Sequence, residues 1–255
     1  MRALLGAPIG TNPVFGSAVC RRLMLGGVDD ATLKAARDSF GVVRIERSQP
    51  APWVDFTQLG MEKDAFLNSL SANTRYQLRR SARRYAVLGG LAVRRAATLS
   101  EALAVLDELV LLHQASWTAR GRPGAFASPF FQRFHRALIA RGLPGGEVDL
   151  LRVTAGDHLI GCLYNFRAGG RVLAYQSGFN YADADAHQKP GLTCHHLAIE
   201  LYRSEDCSAY DFLAGDGRYK SSFANAVQTL HWLDLAPSWS PRGLLNRVRM
   251  TIKIA

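Results

Sequence analysis

No stretch of the 255-residue chain reaches the eighteen or more uninterrupted apolar residues that a membrane-spanning helix needs. The opening Arg2 and Ala3-Leu4-Leu5 are interrupted too early, by Pro8 and Pro13, to read as a signal peptide. Gly16-Ser17-Ala18-Val19-Cys20 is a poor lipoprotein cleavage site, because Val19 is too large for its place. Cysteine is scarce. Cys20, Cys162, Cys194 and Cys207 are widely scattered and no two form a C-x-x-C pair. That argues against a disulfide framework and for reduced thiols, hence for a cytoplasmic protein, membrane-peripheral at most. His195 and His196 are neighbours and project about 100° apart on a helix, so no metal site is expected. A Gly-x-Ser-x-Gly elbow, a P-loop and a dinucleotide fingerprint are all missing, as are internal repeats.

Acidic residues are also unevenly placed. None occurs between Asn73 and Arg95, a stretch that holds seven arginines if Arg95 is counted. The whole chain carries a formal charge of +10. Such a balance favours anionic partners: a CoA-type nucleotide, a nucleic acid, a lipid surface or an acidic glycan precursor. The bland alternative is a composition bias that raises Arg and Ala together. Arg75, Arg79 and Arg80 on the arginine-rich segment 74–95 are candidates for a phosphate-binding wall, with tRNA among the anions it could meet. A solvated amphipathic face is the competing reading. Only Tyr76 and Tyr85 interleave the helix, so sequence-specific nucleic-acid reading is not supported.

Periodicity divides the chain. Residues 1–52 read as a partial N-terminal subdomain, with a helix from Asp29-Asp30 through Arg37 and a strand at Val42–Ile45. Residues 53–255 read as the main domain. Helices are expected over 61–72 and 74–88, the second with a Leu78, Ala82, Tyr85 stripe. Ser100 is the expected cap of the next helix, with Leu103, Leu106, Val110, His113 and Trp117 on one face. Ser128-Pro129 opens another, facing inward through Phe131, Phe134 and Leu138. Three strands follow, Val148–Thr154, His158–Phe166 and Arg171–Phe179, then a helix near Gly191, a strand at 209–213, a short helix at 217–224 and a strand at 227–235. This is an α/β (α+β) fold with a mixed, mostly antiparallel sheet flanked by helices. The order resembles the GNAT acyltransferases.

Chemistry concentrates where the third strand leads into the next helix: Tyr175-Gln176-Ser177-Gly178-Phe179, then Gln188-Lys189-Pro190-Gly191-Leu192-Thr193. The first-turn N–H groups of a helix have no intrahelical partners and sit at its positive end, a general anion site. GNAT enzymes hold the CoA pyrophosphate at a Gln/Arg-x-x-Gly-x-Gly/Ala loop. Gln188 and Gly191 match it, while Thr193 stands where a third small residue is usual. An ordinary loop-to-helix cap is the alternative. Farther on comes Tyr210-Asp211-Phe212-Leu213-x-Gly215-Asp216-x-x-Tyr219-Lys220. With Phe66-Leu67-x-x-Leu70-Ser71-x-x-x-Arg75 and His113-x-x-x-Trp117-x-x-Arg120-Gly121 upstream, these segments resemble the CelD-type acyltransferases. That family is named from cellulose and exopolysaccharide gene clusters and is related to the FemAB-like transferases. The resemblance spans about Trp53 to Phe223 and implies a shortened N-terminal half.

The resemblance implies an acyl-CoA co-substrate, held by Gln176, Ser177, Gly178, Gln188, Lys189, Gly191, Leu192, Thr193 and Lys220. Arg75, Arg79, Arg80, Trp117 and Tyr175 would face the acceptor, an amine on a small molecule or glycan precursor. An attacking amine must lose a proton, so Asp216 and His113, then Asp211, are the base candidates. Each has a structural alternative, a capping carboxylate or a core histidine. Tyr219 would protonate the leaving thiolate, or simply pack. A backbone N–H near Gln176–Gly178, where Gly178 suits a bulge, would meet the oxyanion. The cysteines have no paired base, so no covalent intermediate is expected. Two other readings stay open: an aminoacyl-tRNA-dependent peptidyl transferase of FemAB type, and a non-enzymatic basic module for nucleic acid or membrane surfaces.

Overall fold

The computed structural model describes residues 22–39, 41–62, 64–215 and 217–252. They divide into two compact units. One takes in residues up to Pro52, with Ala214–Asp216 and Val227 onward; the other comprises Trp53–Leu213 and Gly217–Ala226.

The first unit contains β1 (Leu23–Val28), α1 (Asp30–Ser39), most of β2 (Val42–Asp55), β8 (Ala226–Ala236) and α8 (Pro241–Ile252), its strands in the order β1-β8-β2. Helix α1 starts where expected, since the Asp29 carboxylate accepts the Thr32 N–H at 2.8 Å. Leu33 and Ala36 of α1 pack on Leu233 and Leu235 of β8. The fully buried Asp234 is held between Arg22 and Arg242.

The second unit carries the remaining elements. These are α2 (Ala65–Ser69), α3 (Ala72–Ala86), β3 (Leu91–Arg95), α4 (Leu99–Thr118), α5 (Pro129–Gly142), β4 (Val148–Ala155), β5 (His158–Ala168), β6 (Arg171–Phe179), α6 (Pro190–Arg203), β7 (Ala209–Asp211) and α7 (Arg218–Phe223). From the end of β2 the strands run β2-β7-β6-β5-β4-β3. Every registered pair is antiparallel except β6–β7, which the α6 crossover makes parallel. The three-strand meander falls at its expected positions, and β3 extends it by one strand that the sequence reading passed over.

Several local expectations are corrected. Helix α4 is capped by Thr98, not Ser100. The Thr98 hydroxyl accepts the Glu101 N–H at 3.2 Å, and the Glu101 carboxylate accepts the Thr98 N–H at 3.2 Å, a full capping box. The buried face of α4 runs through Ala102, Val105, Leu106, Leu109 and His113 rather than Leu103 and Val110. Helix α5 does begin with Ser128 capping Phe131 N–H, but its buried residues are His135, Ile139 and Gly142, and Phe134 is exposed. On α3 the stripe is Thr74, Leu78, Ser81 and Tyr85, so Ser81 rather than Ala82 points inward most deeply. Strand β6 bulges at Tyr175, not Gly178: Gln176 pairs with Tyr164 and Ala174 with Asn165, leaving Tyr175 as the extra residue.

Gly178 has a different task. A Cβ there would lie 2.5 Å from the Leu109 carbonyl and 2.9 Å from the Leu112 Cβ. The glycine therefore sets how closely α4 lies on β6. Replacing Gly178 with Val must push the helix off the strand, at a cost of about 2–3 kcal/mol of stability by analogy with overpacked cores. Urea unfolding of Gly178→Val should show this as a lower midpoint with the slope retained.

Candidate active site

Strands β6 and β7 pair over only three positions, Arg171↔Ala209, Val172↔Tyr210 and Leu173↔Asp211. From Ala174 onward β6 keeps its partner β5 on one edge and has no strand on the other among the described residues. A cavity of about 800 Å³ opens against this stretch. Its walls are the end of α4 and the turn after it (Leu112–Arg120), β6 (Tyr175, Gln176, Ser177, Phe179), the following loop (Asn180, Tyr181, Ala182) and Tyr219 of α7. All of them belong to the second unit.

The structure thus brings His113, Trp117, Tyr175, Gln176, Ser177 and Tyr219 together in one cavity. His113 is 6% exposed, and its Nδ1 lies 3.1 Å from the Ser177 carbonyl. A carbonyl only accepts, so Nδ1 carries the proton and Nε2 the lone pair. Nε2 has no hydrogen-bond partner among the described residues. Burial depresses the His113 pKa, keeping the imidazole neutral and able to accept a proton near pH 7. Tyr219 stacks on His195, with centroids 5.1 Å apart, and burial pushes its hydroxyl up to about 12, so it stays protonated. The Tyr175 hydroxyl bonds His135 Nε2 at 3.2 Å, and His135 Nδ1 bonds the Tyr164 hydroxyl at 3.2 Å. His135, which the sequence reading did not single out, therefore anchors the bulged tyrosine to the core of α5.

Other candidates lie apart from the cavity or are tied to structural work. Asp211 is buried, 3.0 Å from Arg171 and accepting the Leu213 N–H at 2.8 Å; burial raises its pKa against those contacts. It closes the end of β7, where Leu213 adopts a φ of 58°. Lys220 donates to the carbonyls of Phe212 at 2.9 Å and Leu213 at 3.3 Å. Arg75 bonds the Asn68 and Leu70 carbonyls at the end of α2. Arg79 is exposed, and Arg80 lies over the Tyr76 ring at 5.9 Å. Asp216 lies outside the described residues.

At the start of α6 some amides are bonded within the protein and others have no partner among the described residues. The Gln188 N–H goes to the Asp185 carboxylate at 2.9 Å, and the Lys189 N–H goes to the Ser81 hydroxyl of α3 at 2.9 Å. Ser81 also meets the Thr193 hydroxyl at 2.9 Å. Pro190 has no N–H. The half-buried Gly191 and Leu192 keep amides with no partner among the described residues. A Cβ on Gly191 would sit 3.2 Å from the Phe179 ring and 3.4 Å from the Tyr181 hydroxyl. Among the described residues, no group of three or more His, Cys, Asp or Glu could hold a metal, and no helix is long and apolar enough to cross a membrane.

Residues 72–221 match the family model described as an acetyltransferase (GNAT) domain. No curated protein matches the chain in sequence. Among solved structures it is similar to FemX, with a TM-score of 0.64 and 10% identity over 89% of this chain and 74% of that one. It is also similar to the C-terminal domain of a putative lysylphosphatidylglycerol synthetase from Agrobacterium fabrum, with a TM-score of 0.53 and 13% identity over 89% and 72% of the two chains. L-PGS from Bacillus licheniformis gives a TM-score of 0.53 and 10% identity over 88% and 71%. At such identities the likeness is one of fold, and the fold is the mixed, mostly antiparallel GNAT arrangement.

Two adjacent histidines of α6, the buried His195 and the half-buried His196, predict a pH response. Burial lowers His195 to about 3 and His196 to about 4. Their unfolded values lie near 6.5, so the unfolded chain takes up protons first as pH falls. Stability is therefore full above about pH 6.5 and declines below it, by up to roughly 1.4 kcal/mol per pH unit for each ring. Urea midpoints between pH 7 and 4.5 should fall accordingly, and His195→Gln should flatten the decline.

Proposed function

Because this chain belongs to the acetyltransferase (GNAT) domain family, we propose that it moves an acyl group from an acyl-CoA to an amine acceptor. The observation carrying this reading is the parting of β6 from β7 after Leu173, with a cavity along the freed edge. A thioester carbonyl laid beside that edge would meet main-chain donors that no strand uses. The two unpartnered amides of Gly191 and Leu192, at the positive end of α6, would hold a diphosphate oxygen.

The acyl-CoA supplies an activated carbonyl carbon and a thiolate leaving group. The chain's residues supply the proton traffic. His113, neutral and with a buried Nε2 lone pair that no described residue occupies, would take the proton from the amine as the new C–N bond forms, once the bound substrate turns the ring toward it. Tyr219, held protonated by burial, would give its proton to the sulfur as the C–S bond breaks. The proton held by His113 then returns to the Tyr219 oxygen through solvent, and the products are an amide and a free thiol. No covalent enzyme intermediate is needed, since burial pushes the Cys162 and Cys194 thiols far above their ordinary range. The CelD-type resemblance adds an acceptor in polysaccharide or cell-envelope synthesis to this reading.

A second donor has an observation in its favour. The Gln188 and Lys189 amides are already taken, so the diphosphate grip is smaller than the loop sequence implies. An aminoacyl ester on tRNA would rely less on that turn, and the exposed Arg79 and Arg83 would meet its phosphates. Thiol release from acyl-CoA, undiminished by RNase, excludes this donor.

Two substitutions test the first reading. Gly191→Asp places a carboxylate against the proposed diphosphate and should abolish CoA binding by calorimetry; unchanged affinity would overturn the assignment. His113→Ala should lower kcat for thiol release by about 10²–10⁴-fold while the Kd for CoA stays within a factor of two or so, the pattern of a lost proton acceptor.

A further inference from the structure

Helix α4 ends beside the cavity in a turn with its own geometry. The Arg122 N–H reaches the Trp117 carbonyl at 3.0 Å and the Gly121 N–H reaches the Thr118 carbonyl at 2.9 Å. With Gly121 at a φ of 68°, this is a Schellman closure, and Arg120 is its last residue before the glycine. The loop beyond is tied down by Gln114, whose amide donates to the Pro123 carbonyl at 2.7 Å. The Arg120 backbone is thus fixed by the end of the helix.

Its side chain is fixed too. Arg120 Nε donates to the Ser116 carbonyl at 2.9 Å and one Nη donates to the Ser116 hydroxyl at 2.8 Å. The guanidinium carbon lies 4.8 Å from the centre of the Trp117 ring. Two of its five N–H groups are occupied, and the other Nη has no partner among the described residues. An exposed arginine usually samples many rotamers; this one has its ordering entropy offset by local bonds, leaving a rigid fork for a carboxylate or phosphate. Among the described residues lining the cavity, Arg120 is the only charged side chain. The other walls are largely aromatic, from Trp117, Tyr175, Phe179, Tyr181 and Tyr219.

We propose that Arg120 is an anion anchor that selects the acceptor: the site takes an amine whose molecule also carries a carboxylate or phosphate beside a planar or apolar body. This rests on the acyltransfer reading and deepens it by naming the acceptor class. The volume agrees. A space of about 800 Å³ lies in the range of drug-sized ligand sites, enough for a thioester end and an acceptor with a planar or apolar body. A purely cationic amine would meet the guanidinium with no opposing carboxylate among the described lining residues.

The test uses phenylalanine and phenylalaninamide as paired acceptors, alike but for the carboxylate. Thiol release from acyl-CoA should favour phenylalanine at least tenfold in kcat/KM. Arg120→Gln should remove that preference by raising KM for phenylalanine alone, and Arg120→Lys should restore part of it. Equal use of the two acceptors, or a loss in Arg120→Gln that falls on both alike, overturns the proposal. A readout independent of turnover is calorimetric binding of 3-phenylpropionate, which has the carboxylate and no amine. It should bind the unmodified protein and bind Arg120→Gln at least tenfold more weakly. Failure to bind sinks the anchor even where thiol release is intact; binding without any thiol release sinks the acyltransfer reading and leaves the anchor standing.

Discussion

Two parallel strands that hold together for three residues and then separate impose most of what this site can do. The α6 crossover brings β7 alongside β6 at Arg171–Leu173, and the pairing stops there. Below the point of separation, Asp211 is locked to Arg171, and Arg171 lies 4.3 Å from the Trp53 ring. Lys220 caps the carbonyls just past β7. Those contacts hold the pairing closed where it is closed. Above that point the β6 edge has no strand partner among the described residues, and backbone left buried without a partner is costly. Water or a ligand must meet it, which is why the cavity and the free strand edge coincide.

Burial sets the protonation states around that edge. His113 is neutral because solvation of its cation is lost, and the Ser177 carbonyl fixes its tautomer. The tyrosines keep their protons for the same reason. The set contains an acceptor of protons and a donor of protons without any carboxylate among the described lining residues. A carboxylate in so apolar a cavity would itself be driven toward its neutral form, as Asp211 is driven where it is buried. Imidazole and phenol are instead held in their neutral forms by burial and avoid that conflict.

The fold was largely legible because its signals are local. Alternation and Gly-containing turns marked the meander, and Ser128-Pro129 marked a helix start to the residue. Errors arose where two local signals competed. Ser100 and Thr98 are both good caps, and Glu101 decides between them only because its carboxylate can reach back to Thr98. Gly178 reads as a bulge by residue type, yet its lack of a side chain answers the approach of α4, a tertiary fact. For the site, the structure brings some of the named residues together and holds others elsewhere. His113, Trp117, Tyr175 and Tyr219 do meet in one cavity, while Arg75 and Lys220 spend their charge on carbonyls nearby in the chain. A motif reports that a cation is present; it does not report which acceptor lies closest once the helices pack.

Ser81 shows the limit most clearly. It sits within the arginine-rich helix, where its neighbours draw attention by their charge, and it is fully buried. Its hydroxyl takes the Lys189 N–H and meets the Thr193 hydroxyl, so α3 grips the first turn of α6. That contact withdraws one donor from the proposed anion site and at the same time ties down the turn that carries the two that remain. Hydrogen-bond accounting makes the trade unavoidable: a buried hydroxyl needs a partner, and an amide given to it is lost to a ligand. The loop keeps fewer free donors than its sequence offers, on a turn that cannot swing away. If the proposed diphosphate binds there, its affinity rests on rigidity rather than number, and a substitution at Ser81 acts on the two donors without touching them.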